Sequence, residues 1–282
     1  MFSLLVLTRN SFDHADKCLQ SIFAQSLRDY ETILIDNGSD DGTAELVRER
    51  YPKVKVISNE QNNGPCKGRN QGIEAACGDW IITLDCDVVL EKDFLAQIAA
   101  VLEKINPGTG MLAPKILGKD RQSVYSCGIF LSWARRFYDI GYREKSIRKF
   151  CRQVPVFGPC SAAAVYRRSM LEEIKETTGY FDERFFFFVE DVDIAWRAQR
   201  KGWKAEFVPG AVCVHEGKSS GYEKELRQYF CYRNRFIAIR KNEGMFRYAL
   251  KIVPLLCYDL PRFIFLRVTN GVLRKGGCGK PL

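Results

Sequence analysis

The chain has 282 residues, 46% of them hydrophobic, with 43 Lys+Arg against 34 Asp+Glu and a formal charge of +9. That length suits one large domain or two closely joined lobes, and the composition is neither disordered nor fibrous. Residues 222–282 carry 13 Lys+Arg and 4 Asp+Glu, so residues 1–221 are balanced and the whole excess lies in the C-terminal stretch. The charge therefore describes a tail and not a body-wide nucleic-acid footprint.

The predicted elements alternate from the start. Residues 3–7 form a short apolar run followed by the polar break 8–13, and Cys18, Leu19, Ile22 and Phe23 then recur at helical spacing. Residues 32–35 read as a β-branched strand ending in Asp36-Asn37-Gly38-Ser39, and residues 43–50 as a helix. A third strand over 54–57, a third helix over 67–76 and a fourth strand over 80–84 complete the series. Strands alternating with helices imply right-handed crossovers and a mostly parallel sheet covered on both faces. Ligands in such sheets bind beyond the carboxyl ends of the strands. The polar segments 8–10, 36–41 and 85–87 should therefore meet at one crevice.

After about Gly110 the pattern changes. Residues 111–117 and 124–131 can pair as antiparallel strands, 132–152 reads as a basic, irregular surface loop, and 205–215 as returning strands. Leu226, Tyr229, Phe230, Arg233, Phe236 and Ile237 then recur at helical spacing in the basic tail. The 11 cysteines are odd in number and lack C-x-x-C spacing, and Cys18, Cys77 and Cys86 interrupt apolar stretches. This pattern predicts reduced thiols and a cytoplasmic chain. Residues 2–7 are stopped by Arg9 and Asn10 with no basic segment before them, unlike a signal peptide. No run approaches the ~20 apolar residues of a spanning helix.

Several chemistries are disfavoured. Thr8-Arg9-Asn10-Ser11 replaces the glycine-rich turn of a dinucleotide fold, and no Walker or G-x-S-x-G motif occurs. With only 2 His, metal chemistry is limited to carboxylates plus one or two imidazoles. Asp85-Cys86-Asp87 places two carboxylates just past an apolar strand. If the strand ends in a turn, both can face one crevice, where one holds Mg²⁺ or Mn²⁺ and the other meets a ribose or a metal-bound water. Phe185-Phe186-Phe187-Phe188-Val189 delivers Glu190-Asp191 to a predicted helix start. There the carboxylates either complement the helix dipole or face a dry cleft as a general base. His215 follows the apolar run 212–214 and is a structural histidine or a ligand.

In order and spacing these segments resemble glycosyltransferase family 2, the inverting nucleotide-sugar transferases of the GT-A fold, and within it the bacterial rhamnosyltransferase-like members. The resemblance runs from Ser3 to about Ser219. It rests on 6–10, 35–43, Asn62-Asn63-Gly64 with Gly68-Arg69-Asn70-Gln71-Gly72, Asp85–Asp87, 158–168, 181–183, 190–193 and 208–215. It implies an α/β fold of the GT-A type, a Rossmann-like, mostly parallel sheet with helices on both faces, while the tail beyond it reads from its own residues as basic amphipathic helices. It also implies a nucleotide pocket lined by Thr8, Arg9 and Asp36, with Gly64, Arg69 and Asn70 closing over the phosphates. Asp85 and Asp87 match the D-x-D pair, Asp87 being the expected direct ligand of Mg²⁺ or Mn²⁺, and His215 matches a position that completes the metal site in some relatives. Asp191 matches the catalytic base and Glu190 a residue that orients the acceptor or the loop. Many members carry a second Asp where this chain has Asn37.

The implied activity is transfer of a sugar from a nucleotide-diphosphate donor of the dTDP-rhamnose or UDP-sugar type. The acceptor would be a hydroxyl of a glycan or lipid-linked molecule in cell-surface polysaccharide synthesis. Two alternatives are a transferase acting on polyprenyl phosphate, which needs no base, and a silent nucleotide-sugar-binding module. The expected division is 1–118 for the nucleotide sugar, 119–221 for acceptor and catalysis, and 222–282 for the tail. In that tail arginines and lysines alternate with Phe, Leu and Ile, as in helices lying on anionic lipid or packed on the body. The first option predicts a peripheral protein on the inner face of the cell membrane, and neither option predicts nucleic-acid binding.

Overall fold

A computed structural model describes residues 1–145, 147–217 and 224–274. The expected boundary between 221 and 222 lies outside the described residues. Strands β1 (Phe2–Thr8), β2 (Tyr30–Asp36), β3 (Lys55–Ser58) and β4 (Trp80–Asp85) form the parallel half of a ten-stranded sheet. They are linked by α1 (Phe12–Phe23), α2 (Thr43–Arg50) and α3 (Gly64–Ala75). Next come β5 (Val88–Leu90), α4 (Phe94–Leu102), β6 (Thr109–Gly118), β7 (Val124–Ser126), β8 (Ile129–Leu131) and β9 (Phe137–Asp139). The chain continues through β10 (Val154–Val156), β11 (Ala163–Arg167), α5 (Arg168–Ile174), α6 (Glu190–Arg200) and β12 (Lys204–His215).

The main strand order is β10-β12-β6-β11-β4-β1-β2-β3. Strand β11 is antiparallel to both β4 and β6, which returns β6 and its parallel partner β12 to the direction of the first four strands. The sheet is thus mostly parallel in direction, with β11, the edge strand β10 and the short strands β5 and β7 reversed.

Alternation along each strand feeds two cores. Leu5, Ile33, Ile35 and Ile81 pack on one face with α3, α5 and α6; Leu4, Val6, Leu34 and Ile82 pack on the other with α1, α2 and α4. All eight strand residues are essentially buried, each stabilising the fold by about 1.5–3 kcal/mol relative to exposure. Helices therefore cover both faces, as the alternating pattern requires.

Four expectations shift. Helix α3 begins at Gly64 and not at 67, because Pro65 supplies a first-turn φ already fit for a helix. The strand expected over 124–131 breaks at Gly128, whose φ of +101° suits glycine, so β7 pairs with β6 while β8 pairs with β9. Residues 205–215 lie within a single strand, with a register shift between Val208 and Val212. The stretch 132–152 is structured in its described part: it contains β9, and Phe137, Ile140 and Phe150 pack on the core.

The basic stretch divides in two. Helix α7 (Lys224–Asn242) packs on the body through Phe230, Ala238 and Ile239, all buried. Beyond it run α8 (Met245–Ala249), α9 (Ile252–Pro254), a π turn over Leu255–Asp259, α10 (Leu260–Thr269) and α11 (Gly271–Arg274). These expose Phe246, Leu250, Val253, Leu256, Ile264 and Val268. Among the described residues no helix is long and apolar enough to cross a membrane.

Candidate active site

The carboxyl ends of β4 and β12 and the start of α6 converge on a cleft of about 570 Å³. Arg69, Asp85, Asp87, Glu190, Asp191 and His215 all line it. Asp85 ends β4, Asp87 lies in the turn to β5, and His215 ends β12, paired in register with Val88. The turn after β4 is what lets the two carboxylates share a cleft across one intervening residue. Ligand atoms of Asp85, Asp87 and His215 lie within 4.8 Å of one another. His215 Nε2 is 3.2 Å from Asp87 Oδ1. Burial lowers the proton affinity of the His215 imidazole, but the Asp87 hydrogen bond and charge outweigh it and raise the pKa. Two carboxylates and an imidazole grouped this closely fit a divalent cation of the Mg²⁺ or Mn²⁺ type.

Arg69, from α3, forks between two carboxylates. Its guanidinium donates to Glu190 Oε1 at 2.7 Å and to Asp85 Oδ1 at 2.8 Å, and its side chain is 3% exposed. Burial alone would weaken its charge, but Asp85 and Glu190 more than restore it and raise its pKa. The Asp85 carboxyl is raised chiefly by burial, with Arg69 opposing. One buried cation thus couples the metal-type cluster to the start of α6.

Asp191 opens into the same cleft. Its Oδ1 accepts from the Val192 amide at 2.8 Å, and its Oδ2 from the Ser161 amide at 3.3 Å. Burial, then the charge of Glu190, then that of Asp139 push its carboxyl up to about 8. Ser161 also donates its hydroxyl to Glu190 Oε1 at 2.9 Å, so one residue of the 158–162 loop holds both acids.

The helix start that presents these acids is strained. Phe186, Phe188 and Val189 all have positive φ, at 60°, 65° and 72°, a conformation costing about 1–2 kcal/mol for each such residue. Asn234 of α7, fully buried, compensates: its Nδ2 lies 2.9, 2.7 and 2.8 Å from the carbonyl oxygens of Phe185, Phe187 and Phe188.

The remaining expected residues do not line this cleft. Thr8 and Asp36 are register partners at the ends of β1 and β2. Asp36 accepts from both the hydroxyl and the amide of Ser39, and burial raises its carboxyl. Arg9 is exposed. Gly64 has φ +78°, and a Cβ there would lie 2.6 Å from the Phe186 ring, so this glycine permits the contact between α3 and the aromatic loop. The Asn70 amide is occupied by the 181–183 loop: it donates to the Phe181 carbonyl and accepts from the Phe181 amide, both at 2.8 Å.

Four residues escaped the sequence reading: Ser161, Asn234, Asp139 and Tyr125, whose ring lies 4.3 Å from that of His215. The local pattern of their segments singles out none of the four; the fold brings Ser161, Asp139 and Tyr125 to the cleft and Asn234 to the aromatic loop beside it. Asn37 also gains a role. It donates to Asn62 Oδ1 and accepts from the Asn59 side chain and the Asn63 amide, all at 3.1 Å, a two-way pattern that a carboxylate cannot reproduce.

A mostly parallel sheet covered by helices, with an acidic cleft at its strand ends, is the arrangement that the resemblance to the GT-A fold implies. The model of glycosyl transferase family 2 matches residues 3–175, and the chain belongs to that family. It is 26% identical over 277 residues to the N-acetylglucosaminyl-diphospho-decaprenol L-rhamnosyltransferase of Mycobacterium tuberculosis, a match covering 88% of this chain and 87% of the relative. It is 28% identical over 251 residues to an N-acetylglucosaminyltransferase of Azorhizobium caulinodans, covering 82% of this chain and 59% of that one. Among solved structures, S. aureus TarS 1-349 in complex with UDP-GlcNAc superposes with a TM-score of 0.60 at 21% identity, over 97% of this chain and 75% of TarS. GalNAc-T7 with UDP, GalNAc and Mn²⁺ gives 0.65 at 17% identity, over 85% and 47%. The fold is of the GT-A type.

Proposed function

We propose that this glycosyltransferase inverts the anomeric centre of a nucleotide-diphosphate sugar, of the dTDP-rhamnose or UDP-sugar type, during transfer to a hydroxyl in cell-surface polysaccharide synthesis. The single observation that carries this reading is Asp191. It is a cleft-facing carboxyl with raised proton affinity beside a cation-type cluster, and it is suited to take a proton from a neutral hydroxyl. An acceptor that is already an anionic phosphate would not use such a group.

In the proposed reaction Asp191 takes the hydroxyl proton as that oxygen attacks the anomeric carbon and the nucleoside diphosphate leaves from the opposite face. One displacement inverts the centre, and no covalent enzyme nucleophile is needed. The Ser161 and Val192 amides hold the two Asp191 oxygens in place, and Glu190 is a positioning residue joining Arg69 to Ser161. Asp87, His215 and Asp85 would hold Mg²⁺ or Mn²⁺, which supplies positive charge against the diphosphate leaving group. Thr8, Arg9 and Asp36 are assigned to the nucleotide, with Gly64, Arg69 and Asn70 shaping the segment beside it.

On this reading 1–118 binds the donor and 119–221 supplies the acceptor wall and base. Within the tail, 222–282, the helices beyond α7 anchor the protein peripherally on anionic lipid at the cytoplasmic face of the membrane, where the acceptor is a glycan or lipid-linked molecule. Support comes from one helical stripe: Val253, Leu256, Leu260, Ile264 and Val268 follow at spacings of three and four and are all exposed. The test is a thermal-shift panel of nucleotide sugars with and without Mn²⁺. A donor should raise the melting point in a concentration- and metal-dependent way, and a flat response to every nucleotide sugar would refute the reading.

A further inference from the structure

A second, smaller cavity of about 150 Å³ lies between the β8–β9 hairpin region and the C-terminal helices. Its walls include Arg136, Arg235, Arg262 and Tyr258. It shares Phe137, Tyr138 and Cys231 with the catalytic cleft, so the two spaces are neighbours across a common wall. The volume is well under the ~300 Å³ at which ordinary small-molecule pockets begin, too small for a sugar nucleotide and suited to a charged fragment.

Its charges are not balanced. Asp259, the one acidic wall residue, is taken: one oxygen accepts from Arg235 and the other from the Tyr248 hydroxyl. Arg235 is further committed to the Ala134 and Arg135 carbonyls, and nearby Arg135 to Glu243. Arg136 and Arg262 differ. Among the described residues neither meets a carboxylate; Arg136 stacks 4.0 Å over Tyr258 and 5.1 Å from Tyr138, and Arg262 lies 5.9 Å from Phe265. Aromatic stacking fixes a guanidinium while leaving its edge donors available. Two such arginines at one small cavity make a site for an oxyanion, and two cations side by side suit doubly charged phosphate chemistry better than a single carboxylate.

The cavity also sits against the apolar stripe. Arg262 belongs to α10, two residues from Leu260 and two from Ile264, so helical spacing turns it away from the face those residues expose. One helix thus offers an apolar face outward and a cation inward to a pocket adjoining the catalytic cleft.

We infer that this cavity is the diphosphate subsite for a lipid-linked acceptor, with Arg136 and Arg262 gripping the phosphates while the attached sugar passes the side chains that border both spaces to reach Asp191 and the lipid follows α10 outward. The inference rests on the proposed transferase reading but is tested without a donor. Full-length protein is titrated calorimetrically with geranyl diphosphate and with geraniol, and its sedimentation with phosphatidylglycerol–phosphatidylcholine vesicles is measured in parallel. Wild type should bind the diphosphate and not the alcohol. Arg136→Gln/Arg262→Gln should weaken diphosphate binding by about tenfold or more, the loss expected from about 1.4 kcal/mol of charge-assisted hydrogen bonding. Arg136→Lys/Arg262→Lys should recover part of it, and vesicle sedimentation should not change. Unaltered geranyl diphosphate affinity in the Gln variant, with its melting point intact, would overturn the subsite. So would an equal loss of vesicle binding, which would assign the arginines to bilayer headgroup phosphates. Failure of the transferase reading looks different: no nucleotide sugar binds while the diphosphate titration still succeeds.

Discussion

Asp191 makes the sharpest predictions. Burial and the charges of Glu190 and Asp139 push this carboxyl from its ordinary 3.8 up to about 8, so the base proposed here keeps its proton into the neutral range. The second-order rate of transfer should therefore fall about tenfold for each pH unit below that value and be level above it. Stability runs the other way. Between the two values the folded chain keeps a proton that the unfolded chain has lost, so stability falls as pH rises through that window. Asp191→Asn should melt above wild type at pH 8, and the gap should close towards pH 4. The cause can be tested through a neighbour. Asp139→Asn removes one of the charges that raise Asp191 and should shift the rate profile to lower pH; an unmoved profile would remove Asp139 from the account. Arg69 matters through geometry. Lysine keeps the charge but not the fork, so Arg69→Lys should leave Asp85 or Glu190 underpaired and destabilise the fold by about 1–3 kcal/mol in a denaturant titration.

Between elements, the cleft depends on how α6 is held. A Cβ on Gly158 would lie 2.4 Å from that of Ala195, so the loop carrying Ser161 approaches α6 as closely as glycine allows. Gly158→Ala should separate them, costing about 1–3 kcal/mol and lowering activity together with stability. Asn234→Leu tests the other restraint. Without its amide, the strained 186–189 backbone should relax and transfer should drop although the residue touches neither substrate nor cation, while the nucleotide-sugar thermal shift should persist. The elements were unevenly legible. Alternating periodicity marks the early strands and helices, and α3 starts ahead of its periodic residues because Pro65 suits the first turn. The break at Gly128 has a local cause in that glycine, but which partners β7 and β8 take on either side of it is decided by the fold. For the same reason Asp85, Asp87, Glu190, Asp191 and His215 could be picked out from motifs, whereas Ser161, Asn234 and Asp139 could not.

At the scale of the molecule, the charge asymmetry resolves into two structures that pack differently. Helix α7 is part of the body: besides Asn234, its Lys241 bonds Asp182 and Asp193, both at 2.8 Å. Composition alone could not separate it from α8–α10, because both stretches interleave basic and apolar residues, and only packing reveals which apolar side chains are covered. Deleting everything after residue 221 would strip α7 from the aromatic loop and confound membrane binding with misfolding. Substituting Val253, Leu256 and Ile264 with serine should abolish sedimentation with anionic vesicles and leave the melting point nearly unchanged. Wild-type sedimentation should weaken as salt rises, because headgroup attraction is screened.

The central claim is that Asp191 is the base of a nucleotide-sugar transferase. The measurement that meets it most directly is release of nucleoside diphosphate from a bound donor with Mn²⁺ and membrane lipids as acceptor, run on wild type and Asp191→Asn alongside a donor titration. Release should fall by about 10²–10⁴-fold in the variant while donor affinity is retained, the range expected for loss of a general base. Turnover at the wild-type rate in Asp191→Asn would contradict it.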